Sequence, residues 1–336
     1  MVHPFNCNIY YVSDKLIVLI TEGISHEWKI IPFLNNKIYI YNIIPWNMSK
    51  LIFFEIAMNN WKNSTSQSNF DCSKQLIWLT NTEEQYHFAI QAGFTALFIN
   101  HNCWLDYQIY KILNNDESTR VFDAVINSRP FIWKRIYLAD KIANLALIKG
   151  ADYSTNSTWK WNPWYRSYRF VNIEQLNQYQ VIKILNRSKM GLILSGNTGD
   201  NQQFNNEGAC YSSSEYLLCG LPVLSTNSDG GRDIWYNSDN SLICEPNQDD
   251  VYDKYCTILA KLDNNQLNRS KIRDDHIKRQ NEMRLKFTES ISKLFNEYNI
   301  EIDSDSYFKQ KFFNKMTNYN ITENQVLNIF NNLENY

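Results

Sequence analysis

Two glutamates eight residues apart, Glu207 and Glu215, enclose three consecutive serines, Ser212, Ser213 and Ser214. They lie where glycine gathers: of the ten glycines in 336 residues, seven fall between 191 and 231. Glycine loses more backbone entropy on folding than other residues, so this concentration marks tight turns or backbone drawn close to a ligand. Glu207 precedes a predicted helix and Glu215 lies within it. A helix start carries unpaired N–H groups and the positive end of the macrodipole, a natural seat for a diphosphate. The serine hydroxyls can cap that helix or add donors to it. A buried carboxylate needs hydrogen-bond donors, and a sugar diol provides two. Earlier in the chain, Arg129 and Lys134 stand five apart just past a strand-like run, with Arg135 the alternative to Lys134 in register. Two cations there would neutralise charge as a phosphate departs. Asp229 and Asp233 flank Gly230-Gly231, and His101 follows an apolar run between Asn100 and Asn102.

Composition narrows the classes of function. A chain with 44% hydrophobic, 20% charged and 15% aromatic residues can bury a real core, which excludes wholesale disorder and a disulfide-stapled miniprotein. Lys and Arg number 33 against 35 Asp and Glu, a net charge of -2, so no global basic field gathers nucleic acid. The seven cysteines are odd in number and form no CxxC pair, which predicts reduced thiols. Cys210 has no histidine nearby in sequence to activate it and reads as packing. The five histidines form no HExxH motif, and no metal site is expected. The start of the chain lacks the n-region and h-region of a secretory signal, and its apolar runs are too short to span a bilayer. A cytoplasmic location is the expectation, and the Asn-x-Ser/Thr triplets follow from abundant asparagine rather than glycosylation.

The elements that must position these residues alternate between strands and helices. KLIVLI (15–20) and KIYIYNII (37–44) read as strands, and LIFFEIAMNNW has strand or helix character. LIWLT (76–80), EEQYHFAIQAG (83–93) and TALFIN (95–100) form a βαβ unit, with Thr82 to cap the helix and Gly93 to stop it. A second series starts near 120: strand 121–127, helix 134–148 with Ala139, Ile142, Ala146 and Leu147 inward, helix 173–188, strand 190–195, helix 213–219 and strand 222–226. Past 250 the pattern is helical to the end, and the charged stretch 270–287 reads as a solvated face. No GxGxxG fingerprint occurs in either half, which argues against a dehydrogenase.

From residue 120 to 250 the chain resembles the C-terminal domain of GT-B glycosyltransferases, above all the large retaining group that uses nucleotide-sugar donors (glycosyl transferases group 1). That group carries E-G-F-G, then E-A-M-A-x-G-x-P-V-V, then G-G-x-x-E. Here Glu207-Gly208, Glu215, Gly220, Pro222-Val223 and Gly230-Gly231 follow in the same order. Ala209 and Cys210 replace Phe-Gly, and Asp233 stands one residue early for the last glutamate. The resemblance implies that Glu207 lies against the donor hexose and Glu215 on the ribose diol. Gly208, Gly230, Gly231 and Asp233 would be further donor contacts. The group's Arg and Lys on the leaving diphosphate correspond to Arg129 and Lys134. A histidine near the sugar corresponds to His101, with Asn100 and Asn102 orienting it or touching the acceptor.

The fold so implied is α/β, GT-B, two Rossmann-like domains facing across a cleft. Residues 1–118 would form the acceptor side, 119–300 the donor domain, and 301–336 helices crossing back. The activity implied is transfer of a hexose from a nucleotide-diphosphate sugar, UDP- or GDP-hexose first, to a hydroxyl, with retention and with no metal. Carbohydrate, lipid-linked, natural-product and protein acceptors stay open. A sugar-nucleotide epimerase, a phosphorylase and a non-catalytic scaffold are the alternatives. The aromatic segment around Trp159, Trp161, Trp164, Tyr165 and Tyr168 has three readings, core or interdomain packing first, then stacking on base or sugar, then contact with a lipid-linked acceptor, and Arg166 and Arg169 leave room for a peripheral contact with the cytoplasmic face of a membrane.

Overall fold

The computed structural model describes residues 6–23, 25–44, 48, 50–113, 120–128, 132–149, 169–171, 176–195, 208–311 and 321–332. The chain divides into two compact units, one of Met1–Trp104 with Gln280–Tyr336, the other of Leu105–Arg279.

The first unit is built on a five-stranded sheet: β1 (Cys7–Val12), β2 (Ile17–Glu22), β3 (Ile38–Ile43), β4 (Leu76–Thr80) and β5 (Thr95–Phe98), in chain order across the sheet. β1, which the sequence reading did not anticipate, pairs antiparallel to β2, and every other pairing is parallel. β2 and β4 are buried almost throughout, which is why they read as continuous apolar runs. The ambiguous run after β3 is a helix, α1 (Leu51–Ser64), which turns Phe54, Met58 and Trp61 to the core at i, i+4 and i+7. After a short α2 (Cys72–Gln75), the predicted βαβ unit is present with its helix as α3 (Glu83–Gln91). Thr82 caps it by accepting from the Gln85 N–H, and Gly93 follows its end at φ +93°.

The second unit holds a six-stranded parallel sheet. Its strands are β6 (Phe122–Ser128), β7 (Leu145–Lys149), β8 (Arg169–Val171), β9 (Ser188–Ile193), β10 (Val223–Thr226) and β11 (Ser241–Cys244). They lie in the order β11-β10-β9-β6-β7-β8. Numbered within the unit this is 3-2-1-4-5-6, the doubly wound order, and the direction of winding reverses between β6 and β9. Helices α4 (Gln178–Asn186), α5 (Tyr211–Leu218) and α6 (Gln248–Asp263) accompany the sheet.

One predicted helix is corrected. Residues 134–148 form two 3-10 turns, Ile132–Lys134 and Ile136–Ala139, and then β7. The four residues expected inward are buried, but Ala146 and Leu147 are so as part of a strand enclosed between β6 and β8. A short apolar run of that kind has no period that separates strand from helix. β11 was likewise missed, being four residues long.

α7 runs unbroken from Arg269 to Glu297, and the division between the units falls within it. The expected boundaries at 118 and 300 are therefore replaced by 104/105 and 279/280. Residues 105–113 belong with the second unit because their backbone is held there. The Arg273 guanidinium donates to the carbonyls of Tyr107, Tyr110 and Leu218. Asn186 accepts from the Leu113 N–H (2.9 Å) and donates to the Lys111 carbonyl (3.0 Å). Those contacts also correct the reading of 270–287 as a solvated face. Lys271, Asp274 and Lys278 are exposed, whereas Arg273, Arg279 and Arg284 are partly buried and serve backbone carbonyls. In the first unit the later part of α7 supplies Phe287, whose ring meets Tyr10, Tyr41 and Trp104 edge-on at 5.2–5.5 Å. α8 (Ser304–Lys311) and α9 (Glu323–Asn331) complete that unit. The aromatic segment around Trp159–Tyr168 lies outside the described residues.

Candidate functional site

In an open doubly wound sheet, ligands bind outside the carboxyl ends of the strands where the winding reverses. In the second unit that place is the end of β6 and the end of β9, and the residues there are tied together. Asn127, next to last in β6, turns its N–H, its carbonyl and its Nδ2 to α5. Its N–H donates to the Tyr216 hydroxyl (2.6 Å), its carbonyl accepts from Ser212 Oγ (2.6 Å), and its Nδ2 donates to Glu215 Oε2 (2.6 Å). Glu215 Oε1 accepts from the Tyr110 hydroxyl at 2.8 Å.

The local sequence explains the closeness. Gly191 in β9 leaves space where a Cβ would stand 2.1 Å from the Tyr216 ring, so the ring lies against the strand and its hydroxyl reaches β6. Gly220, after α5, sits at φ +71° with the Arg269 carbonyl 2.7 Å from where a Cβ would be. It turns the chain from α5 into β10 and brings Arg269 Nη2 to the Cys219 carbonyl at 2.6 Å.

The structure places the predicted donor residues as follows. Glu215 is nearly buried, and Tyr110 and Asn127 donate to its two oxygens. Its charge, after burial itself, holds the Tyr110 phenol far above its ordinary pKa. The serines divide their roles: Ser212 bonds Asn127, Ser213 bonds the Tyr236 hydroxyl at 2.9 Å, and Ser214 Oγ is buried without a hydrogen-bond partner among the described residues. Cys210 at the start of α5 makes no side-chain capping hydrogen bond, and the Ser213 N–H donates to the Cys210 carbonyl at 3.2 Å. Gly208 is half-buried just before α5. Gly230 and Gly231 are buried, Gly231 at φ +90°, in the loop after β10. Asp233 opens the 3-10 turn Asp233–Trp235, and partial desolvation raises its carboxyl pKa while Arg232 works against that rise. Lys134 ends a 3-10 turn after β6 and is half-buried. Arg129 and Glu207 lie outside the described residues.

His101 belongs to the other unit and is described within it. It opens a 3-10 turn, His101–Trp104, past the end of β5. Asn81, past the end of β4, organises this corner. Its side chain accepts from the His101 N–H (2.9 Å) and donates to the Ile44 carbonyl (2.8 Å), while its own carbonyl accepts from Asn100 Nδ2 (2.9 Å). Asn100 in turn accepts from the Asn102 N–H at 3.0 Å. Both asparagines are buried and hold the turn, and His101 itself is almost wholly buried.

Sequence reasoning missed Asn127, Tyr110, Tyr216 and Asn81. The one signal that pointed to any of them was Gly191 beginning the glycine-rich stretch. Cys210 is half-buried at the α5 cap, and all seven cysteines are free thiols. Burial pushes Cys219 and Cys244 up to about 12, outside the range of a reactive thiolate. Among the described residues no group of three or more His, Cys, Asp and Glu could hold a metal ion, and no helix is long and apolar enough to cross a membrane.

No protein-family model and no curated protein matches the chain. Solved structures do. HepE from Anabaena, in complex with UDP, is similar at a TM-score of 0.56 and 15% identity, over 76% of this chain and 72% of that one. The same protein in complex with UDP-glucose is similar at 0.53 and 14% over the same shares. A glycosyltransferase from Rickettsia africae is similar at 0.52 and 14% identity, over 78% of this chain and 71% of that one. At such identities the likeness shows the fold, and with the two α/β units it establishes that fold as GT-B.

Proposed function

We propose that this chain is a glycosyltransferase that takes a hexose from a nucleotide-diphosphate sugar and passes it to a hydroxyl acceptor, with the donor held by the second unit. The observation that carries the reading is the α5 cluster at the reversal between β6 and β9, where Asn127 locks a buried glutamate beside a helix start. The fold shared with HepE, a protein solved with UDP and with UDP-glucose, supports it.

In this reading Glu215 accepts from the ribose diol. The first-turn N–H groups of α5, with Arg129 and Lys134, face the diphosphate. Gly208, Gly230 and Gly231 let the backbone approach the donor, and Asp233 lies at its edge. Glu207 and His101 position the sugar. In the transfer, the bond from the anomeric carbon to the diphosphate oxygen breaks and a bond to the acceptor oxygen forms. The acceptor proton passes to the departing phosphate, so no separate protein base is assigned, and the anomeric configuration is retained. The developing negative charge is met by the two cations and the helix start rather than by a metal. A carbohydrate acceptor and a cytoplasmic location belong to the same reading.

The test is turnover of UDP-, GDP-, ADP- and dTDP-hexoses, reading released nucleoside diphosphate, with Glu207→Ala and Arg129→Ala beside the wild type. The expected result is slow release from one donor, lost in both variants and accelerated by sugar acceptors. Interconversion of the donor without release would point to an epimerase, and dependence on inorganic phosphate to a phosphorylase. Neither binding nor turnover of any donor would overturn the reading.

A further inference from the structure

Two arginines lie side by side beneath the carboxyl ends of β9 and β10. Arg135 is 5% exposed and Arg232 fully buried. Arg135 Nε donates to the Leu194 carbonyl (2.7 Å) and its Nη2 to Thr226 Oγ1 (3.0 Å). Arg232 Nη1 donates to Ser195 Oγ (3.1 Å), and its Nη2 reaches the carbonyls of Ser195 and Thr226. The Thr226 hydroxyl donates to the Ser195 carbonyl (2.7 Å), which fixes the frame.

Among the described residues Arg135 has no carboxylate partner, and its Nη1 is buried with no acceptor. Burial lowers its pKa, and the like charge of Arg232 adds to that fall while Tyr137 works against it. A guanidinium kept from water and opposed by a like charge is unfavourable by itself, and an oxyanion in contact would reverse the sign. Arg135 also holds a left-handed backbone, φ +46°, uncommon for a residue with a side chain.

The position selects which oxyanion. The cations assigned to the diphosphate, Arg129 and Lys134, follow β6, and α5 is locked to the end of β6 through Asn127. Arg135 is anchored on the ends of β9 and β10, one and two strands further on, about 5 and 10 Å at the usual strand spacing. That offset is the width of a hexose ring. We infer that Arg135, braced by Arg232, is a specificity-determining residue that holds a carboxylate on the transferred sugar, so that the donor is a nucleotide-linked uronic acid. The inference rests on the proposed donor site in the second unit. The planar fork of a guanidinium matches a carboxylate in a way that an ammonium does not.

The test uses the full chain and matched donors that differ only at that carboxylate: UDP-glucose with UDP-glucuronate, and GDP-mannose with GDP-mannuronate. Affinities are measured by calorimetry for wild type, Arg135→Met and Arg135→Lys, with thermal unfolding as the check on folding. The expected result is a wild-type preference of about tenfold or more for the uronate of one pair, from a charge-assisted contact, abolished in Arg135→Met. In that variant the affinity for the matching neutral donor should stay within about twofold of wild type. Arg135→Lys keeps the charge without the fork and is expected to lose most of the preference. It reads the same outcome if Arg135→Met does not fold.

Equal losses for UDP, UDP-glucose and UDP-glucuronate would place Arg135 on the diphosphate and overturn the inference. Unchanged affinities for every donor would make the pair a structural brace and overturn it as well. Both results leave the donor site standing, whereas a wild type that binds no nucleotide sugar removes the donor site and this inference together.

Discussion

At the scale of single residues, Asn127 determines how much else is in place. Its backbone positions Tyr216 and Ser212, and its side chain fixes one oxygen of Glu215. Asn127→Ala keeps the backbone contacts and removes the donor from a buried carboxylate, a loss of about 1–3 kcal/mol in unfolding free energy, measurable by urea denaturation. Glu215→Gln keeps the shape but turns an N–H group toward a donor, Asn127 Nδ2 or Tyr110, and removes the charge. Nucleotide affinity should fall about 10- to 100-fold, the worth of hydrogen bonds to a charged group, as read by calorimetry. The glutamates were legible in the sequence because glycines surround them. Asn127 was not, since asparagine is common throughout this chain and nothing local distinguishes one that bonds through three groups at once. Arg135 stood only as the alternative to Lys134, because burial of a charge beside another charge depends on strands far apart in sequence.

At the scale of elements, α5 depends on a missing side chain in its neighbour. A methyl group at Gly191 would overlap the Tyr216 ring, and that ring cannot swing away without releasing the Asn127 N–H. Gly191→Ala should therefore destabilise the second unit by at least the ~1–3 kcal/mol of an overpacked core and weaken nucleotide binding with it. If thermal unfolding and affinity both stay at wild-type values, α5 is not held in this way. In the first unit, Thr82→Ala removes the α3 cap and should cost about 1 kcal/mol, seen in hydrogen exchange of the first turn of α3. Thr82 and Gly93 were readable as cap and stop because capping chemistry is local. The opposite holds for β7, where five apolar residues carried no period and only their place between β6 and β8 made them a strand. α1 resolved the other way, since its three buried residues recur at helical spacing.

At the scale of the whole molecule, the chain leaves its first unit at Leu105 and returns to it at Gln280. The return was expected from 301, and the earlier point reflects a helix, α7, that serves both units without a break. Polar composition near 118 suggested a boundary, but the residues before it are bound to the second unit by Arg273 and Asn186, contacts that no local window reveals. The doubly wound order itself was only partly legible: alternating strands and helices predict a parallel sheet, whereas the reversal between β6 and β9 emerges from pairing. That reversal is the centre of the account, and backbone hydrogen exchange with and without saturating nucleoside diphosphate, UDP first and then GDP, tests it most directly. Protection is expected at 122–128, 188–195 and 211–218, with the five-stranded sheet of the first unit unchanged. Nucleotide-dependent protection confined to that first sheet, or protection nowhere along β6, β9 and α5 while the nucleotide is bound, would contradict it.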